Sequence, residues 1–370
     1  MIGAPIRIAV VLGHWQNYGV ETLTMNLYKN IDKSRVQFDF YVCETPNSDV
    51  PKDEIESLGG RLLITPSYSK PLAYGKVLKS AFKENNYQIV HCHMSTLCVF
   101  PLSAAKAAGV PIRIAHCHTM AGKGEWAKNA VKYTLRLLAH RYPTHYASSS
   151  LMAGEWLFGH DIATNNMYYV PVARDIEAFR YSPDRRTKMR EALGLNGKYV
   201  IGHLGRFVPQ KNHKFIVDMF SHVYSLEPKA HLLLAGDGPL VEETLTAIDA
   251  YGLSEHVSYL GRRSDASDLY QAMDVFVLPS IYEGVPGTGI EAQAAGLPFL
   301  CSSLVTKEAL ILDSAKRIPL DDMDAWVAAV LDAERVPRRD SVGEMKRAGY
   351  DIKTAANDLA DYYESLIKAL

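Results

Sequence analysis

Apolar residues in this chain gather in short runs rich in Val, Ile and Leu, and the segments between them carry apolar residues at helical spacing. A short, nearly uninterrupted run suits a strand covered on both faces, and its alternation with amphipathic helices is the pattern of a parallel sheet wrapped by helices. In the first half the runs predict strands at residues 6–12, 38–43, 62–64, 88–92, 112–115 and 168–170. The pattern restarts at 199–204 and continues through 231–235, 257–260, 274–278 and 299–301. Between the halves, Pro171 and Pro183 bracket a charged stretch that follows neither period. Two doubly wound α/β domains are therefore expected, residues 1–172 and 173–349, followed by a helical stretch over 350–370.

A length of 370 residues, with 48% hydrophobic and 22% charged, is enough for two cores and typical of a globular protein. No apolar run approaches the roughly 18 residues of a membrane helix and no signal-peptide pattern opens the chain, so a cytoplasmic location is expected. Cys43, Cys92, Cys98, Cys117 and Cys301 are odd in number and lie in apolar contexts, which reads as reduced, buried thiols. A net charge of −1 argues against nucleic acid as a partner. The charge is uneven, however: residues 1–170 hold 17 Lys and Arg against 12 Asp and Glu, which leaves the first half basic.

Ligands of open parallel sheets bind beyond the carboxyl ends of the strands, so the loops after the runs are where chemistry is expected. The loop after 199–204 reads Gly205-Arg206-Phe207-Val208-Pro209-Gln210-Lys211-Asn212. Its glycine permits close backbone approach and its two cations beside a helix start suit a diphosphate, although such a loop is also an ordinary surface feature. Asn212 is placed to cap the following helix. Gly236-Asp237-Gly238-Pro239 reads as a turn, because Val241 stands where a dinucleotide fingerprint needs its third glycine. The loop after 274–278, Pro279-Ser280-Ile281-Tyr282-Glu283-Gly284-Val285-Pro286-Gly287-Thr288-Gly289-Ile290-Glu291, is the richest. Gly284, Gly287 and Gly289 are expected to leave amides facing an anion where a helix begins near Thr288, with Glu283 and Glu291 able to accept from ligand hydroxyls.

The Glu283-x7-Glu291 spacing, the flanking Pro279-Ser280 and Ala292 to Pro298, and the Gly205-Arg206 to Lys211-Asn212 loop together resemble the signature of retaining glycosyltransferase family 4. The resemblance covers the C-terminal half. It implies a GT-B architecture: two Rossmann-like domains facing across a cleft, the first binding an acceptor and the second a nucleotide-sugar donor, with 350–370 packing back on the first. It further implies that Arg206 and Lys211 bind the donor diphosphate, Glu291 the ribose and Glu283 the donor sugar, with Gly284, Gly287, Thr288 and Gly289 lining the same site. Asn17-Tyr18-Gly19-Val20-Glu21 resembles the family's glycine-rich loop after the first strand, with Gly19 beside the donor and Tyr18 replacing one usual glycine. The stretch from Val110 to His118 resembles the segment carrying the active-site histidine, matching His118 with His116 as the alternative. Val285-Pro286-Gly287-Thr288-Gly289 departs from the commoner family form, which leaves the sugar open, and Val172-Ala173-Arg174-Asp175 lacks the usual Asn-Gly.

Cleaving a glycosyl phosphate bond puts negative charge on the departing diphosphate, which Arg206, Lys211 and the loop amides can stabilise without a divalent ion. No Asp-x-Asp follows an apolar run, and Asp322-Met323-Asp324 reads as a helix start. His91-Cys92-His93 and His116-Cys117-His118 are ligand-type triplets at strand ends, but they lack the spacing of a known zinc finger, so neither metal nor cofactor is expected. The expected reaction is transfer of a hexose, from a UDP-sugar foremost, to a lipid-linked or glycan acceptor in cell-surface polysaccharide synthesis. His14, Trp15 and Tyr18 are candidates to stack on acceptor sugars or to join an aromatic core. Over 125–141, Lys128, Lys132, Arg136 and His140 recur every four residues against Ala127, Val131, Leu135 and Leu138. That helix suits either peripheral contact with anionic headgroups at the inner membrane face or an ordinary solvated surface. A silent nucleotide-sugar-binding subunit is the competing reading, and the retained His118 and Glu283 favour the enzyme.

Overall fold

The computed structural model describes residues 4–16, 19–44, 49–120 and 126–370. Its first sheet has seven strands, β1 (Ile6–His14), β2 (Val36–Cys43), β3 (Arg61–Thr65), β4 (Ile89–Cys92), β5 (Ile112–Cys117), β6 (His145–Ser148) and β7 (Met167–Tyr169). They lie in the order β3-β2-β1-β4-β5-β6-β7. The second sheet has six strands, β8 (Tyr199–Leu204), β9 (Ala230–Ala235), β10 (Val257–Tyr259), β11 (Val275–Leu278), β12 (Phe299–Ser302) and β13 (Ala315–Ile318), in the order β10-β9-β8-β11-β12-β13. Every strand pair is parallel. Each sheet belongs to its own unit, Met1–Ala173 with Ile352–Leu370 and Arg174–Asp351.

The expected runs are strands because both of their faces are covered. All residues of β2, β8 and β9 are buried, whereas the edge strands β3 and β10 stay partly exposed. Two strands escape the pattern. His145-Tyr146-Ala147-Ser148 is half polar, and Ala315-Lys316-Arg317-Ile318 is an edge strand whose Lys316 faces water, so neither forms an apolar run.

Two apolar clusters flank the first sheet and two flank the second. The C-terminal helix Ile352–Lys368 sets Ile352, Ala355, Ala356, Leu359, Ala360 and Tyr363 into the first of these, an i, i+3, i+4, i+7 stripe that packs beside the helix Gly19–Asn30. Arg35 holds it through Glu364 at 2.7 Å and Asp361 at 2.5 Å, and Tyr362 stacks on Tyr168 with centroids 3.9 Å apart.

In each sheet the winding reverses between two central neighbours, β1 and β4 in the first, β8 and β11 in the second. Strand order of this kind opens a crevice at the carboxyl ends of those strands.

Candidate functional site

In the second unit, the two signature loops leave β8 and β11 side by side. Backbone and side chains stitch them together: Ile281 N donates to Gln210 O at 2.9 Å, Gln210 Nε2 to Tyr282 O at 2.9 Å and Asn212 Nδ2 to Pro279 O at 3.2 Å. The stitching brings Lys211 Nζ to 2.5 Å from Glu283 Oε1, which also accepts from Ser280 Oγ at 3.3 Å. Both members of this ion pair are mostly buried, while Arg206 is exposed. The turn after β9 backs the Arg206 loop. Gly236 has φ +144°, and a Cβ there would lie 1.9 Å from the Gly205 carbonyl oxygen. Phe207 N donates to Asp237 O at 2.9 Å, so the turn fixes the loop's path.

Glu291 lies one turn into the helix Gly287–Ala294. Its Oε1 accepts from Arg174 Nε at 2.7 Å, and its Oε2 lies 3.1 Å from the Tyr270 hydroxyl. Burial, with Glu291 alongside, holds the Tyr270 phenol well above its usual pKa, which keeps it a donor. Each carboxylate oxygen retains acceptor capacity for a ligand hydroxyl. Thr288 Oγ1 is buried without a partner among the described residues.

In the first unit, His93 and His118 follow the carboxyl ends of β4 and β5, with His91 and His116 two residues earlier. His116 is fully buried and cannot touch an acceptor directly, whereas His118 is half-buried. Burial pushes the imidazole pKa of His118 down to about 3. The His118 amide donates to Ser95 Oγ at 3.1 Å, and Ser95 has a left-handed φ of +49°.

Several expectations need correction. Asn212 does not cap the helix His213–Leu226 with its side chain, because its φ of +58° turns that side chain toward Pro279. Gly289 does not offer its amide to a ligand, since that amide donates to Pro286 O at 3.0 Å. Packing favours glycine at 289, where a Cβ would lie 2.6 Å from the Phe299 ring, and at 287, where a Cβ would lie 1.8 Å from Arg174 Nη2 and displace it. Trp15 is 3% exposed and belongs to the core rather than to an acceptor platform. His14 is half-buried against Tyr68, Gly19 opens the helix Gly19–Asn30, and Tyr18 lies outside the described residues. The helix expected over 125–141 covers Trp126–Arg136, residues 137–141 form turns, and Glu125 lies outside the described residues.

Other expectations hold. Asp322 Oδ1 accepts from Ala325 N at 3.0 Å at the start of the helix Met323–Ala333, and the five cysteines are buried and form no disulfide. Among the described residues no helix is long and apolar enough to cross a membrane. Sequence reading passed over Arg174 and Tyr270, the two residues that hold Glu291. Only the departure at Val172-Ala173-Arg174-Asp175 hinted at the first of these.

Residues 18–177 match Glycosyltransferase Family 4, and residues 185–347 match Glycosyl transferases group 1. EpsF of Bacillus subtilis (strain 168), which carries a glycosyltransferase name, is 32% identical over 369 residues and 96% of both chains. The UDP-Gal:alpha-D-GlcNAc-diphosphoundecaprenol alpha-1,3-galactosyltransferase of Escherichia coli is 25% identical over 335 residues, 85% of this chain and 84% of that one. The solved structure of HepE from Anabaena in complex with UDP superposes with a TM-score of 0.80 at 17% identity, covering 97% of this chain and 100% of that one. With the paired Lys211–Glu283 and Arg174–Glu291 standing on those matched segments, the chain belongs to glycosyltransferase family 4, has the GT-B fold and is akin to enzymes of cell-surface polysaccharide synthesis.

Proposed function

We propose that this glycosyltransferase moves a hexose from a UDP-sugar to a lipid-linked or glycan acceptor, with retention of anomeric configuration and without a divalent metal. The observation that carries this reading is the pair of carboxylate–cation contacts, Lys211 with Glu283 and Arg174 with Glu291, at the reversal point of the second sheet. A diphosphate would draw on Lys211, Arg206 and the amides of Gly287 and Thr288, which have no partner among the described residues, leaving Glu283 to receive the sugar and Glu291 the ribose. Charge building on the leaving phosphate is then met by fixed positive groups. HepE has been solved with UDP and with UDP-glucose, and the Escherichia coli relative is named for UDP-Gal and a diphosphoundecaprenol acceptor, which supports the choice of donor and acceptor class. Val131, Tyr133, Leu137 and Leu138 lie exposed beside Lys132 and Arg136, which supports peripheral contact with an anionic membrane.

The test is thermal stabilisation by UDP-, GDP-, ADP- and dTDP-sugars in the presence of EDTA, compared between the wild type and the Arg206→Ala, Lys211→Ala double variant. A shift of several degrees with UDP-sugars alone, lost in the variant, is the expected result. A shift that needs added metal, or one that survives both substitutions, overturns the donor site as drawn. The anomer of the product, read by NMR, tests retention.

A further inference from the structure

The four histidines that end β4 and β5 form a two-by-two block. Alternate residues of a strand share a face, so His91 stacks on His93 with ring centroids 4.2 Å apart, and His116 on His118 at 3.9 Å. Between the strands the rings meet edge to edge. His91 Nε2 lies 3.0 Å from His116 Nδ1 with the rings 15° from parallel, and His93 Nδ1 lies 3.1 Å from His118 Nε2 at 21°. Ser149 Oγ joins the two pairs, 3.3 Å from His116 Nε2 and 3.2 Å from His118 Nδ1. The Tyr363 hydroxyl of the C-terminal helix meets His91 Nδ1 at 2.7 Å. These contacts make one unbranched chain from Tyr363 through His91, His116, Ser149 and His118 to His93.

A neutral imidazole has one donor and one acceptor nitrogen, so each link dictates the next. Burial holds all four histidines below their ordinary pKa and hence neutral near pH 7. If Tyr363 donates to His91, every histidine in turn carries its proton on Nε2, and the last, that of His93, points out of the chain. In the opposite sense every proton sits on Nδ1, and the Tyr363 hydroxyl proton, on a side chain 1% exposed, has no acceptor among the described residues. A chain reversed only beyond Ser149 strands the Ser149 proton instead. A buried donor without an acceptor is disfavoured, so the sense that starts at Tyr363 prevails.

We infer that Tyr363 sets the tautomer of all four histidines, so that His93 presents an Nε2–H donor at the carboxyl edge of the first sheet to an oxygen of bound substrate. The substrate clause rests on the transferase reading proposed above, whereas the tautomer chain does not. His118, with both ring nitrogens engaged, holds His93 in place, and Tyr363 is a positioning residue. Ligand atoms of His91, His93 and His116 also lie within 4.8 Å of one another. A metal would need lone pairs converging on one point about 2.0 Å away, while near-parallel rings in edge contact aim a donor at an acceptor.

The experiment is long-range 1H–15N NMR on protein labelled with 15N-histidine, without ligand, with signals assigned by single His→Gln variants. The expected result is Nε2–H at all four positions, in about tenfold or greater excess. Tyr363→Phe, nearly isosteric, should populate the Nδ1–H forms along the whole chain. Ser149→Ala should free only His93 and His118, leaving His91 and His116 locked. An Nδ1–H form dominating at any of the four in the wild type, an unchanged spectrum in Tyr363→Phe, or stoichiometric Zn2+ binding that displaces these signals overturns the inference. In transfer assays Tyr363→Phe should lower kcat/KM about threefold to tenfold and alter its pH profile, while His93→Phe should lose more activity than His93→Gln. Locked tautomers without transfer from any donor would sustain the histidine chain and refute the transferase reading.

Discussion

One methyl group added at position 287 is expected to dismantle the Arg174–Glu291 pair without changing either residue. An ideal Cβ on Gly287 would lie 1.8 Å from Arg174 Nη2 and 2.7 Å from its Cζ, where ordinary contact begins near 3.4 Å. The guanidinium must therefore retreat by roughly 1.6 Å, which the 2.7 Å bond from its Nε to Glu291 cannot absorb. The two side chains are only 10% and 16% exposed, so a charge-assisted bond of about 1.5–3 kcal/mol is lost. Alanine returns up to about 1 kcal/mol by stiffening the helix start. The net loss is about 1–2 kcal/mol, a fall in Tm of roughly 2–8 °C for a unit of this size. If Glu291 binds the ribose, UDP affinity should fall about fivefold to thirtyfold. Differential scanning fluorimetry and titration calorimetry read the two effects. The cost should vanish when Gly287→Ala is made in an Arg174→Ala background, since the clash is then absent. A Gly287→Ala protein with unchanged Tm and UDP affinity, or a cost that persists without Arg174, refutes the reasoning.

Gly236→Ala combines a positive φ with a Cβ 1.9 Å from the Gly205 carbonyl oxygen, so a loss of roughly 3 kcal/mol or more and disrupted UDP binding are expected. Normal binding by that variant would remove the turn's supporting role. Acid should weaken the first unit. The His91 pKa is lowered to about 3 in the fold, against about 6.5 unfolded, so the unfolded chain binds more protons between those values. The stability His91 contributes is complete above about pH 6.5 and is lost as pH falls toward 3, roughly 2 kcal/mol of it by pH 5. His93 and His116 act in the same direction, and an unfolding midpoint that stays flat from pH 7 to 5 contradicts this. Glu283→Gln removes a negative charge that competes with a diphosphate for Lys211. It should tighten UDP binding about threefold to tenfold while slowing transfer at least about tenfold. Weaker UDP binding would place Glu283 elsewhere in the site.

What the sequence disclosed was set by how near in the chain cooperating residues lie. Glu283 and Glu291 share one loop and helix start, and Arg206 and Lys211 share another, so each pair could be matched as a block to the family's signature. Their partners come from elsewhere: Arg174 lies 117 residues from Glu291, and Tyr363 lies 272 from His91. Such contacts follow from sheet order and from the returning C-terminal helix, which hydrophobic period does not encode. The strands that went unnoticed, β6 and β13, are short and carry polar residues, while the fully buried strands were legible as runs. Asn212 shows the limit at a single residue: its type suits a cap, but its left-handed backbone and the neighbouring Pro279 carbonyl decide its role.

The glycines from 284 to 289 illustrate how a motif read as ligand-binding can be set by packing. Gly289 is fixed by the Phe299 ring beneath it and Gly287 by the Arg174 guanidinium above it. The departure from the commoner family form therefore has a packing cause at two of its glycines, which answer to residues of the chain. Arg174 stands at the other departure, where the usual Asn-Gly is missing. The two irregularities are one arrangement: an arginine that reaches Glu291 requires a residue without a Cβ in its path. A chain that loses Arg174 is released from glycine at 287, and one that acquires a side chain at 287 must give up the arginine's contact with Glu291. The pair should accordingly be exchanged together, and sugar specificity sought at positions free of this constraint, Val285 and Pro286 first among them.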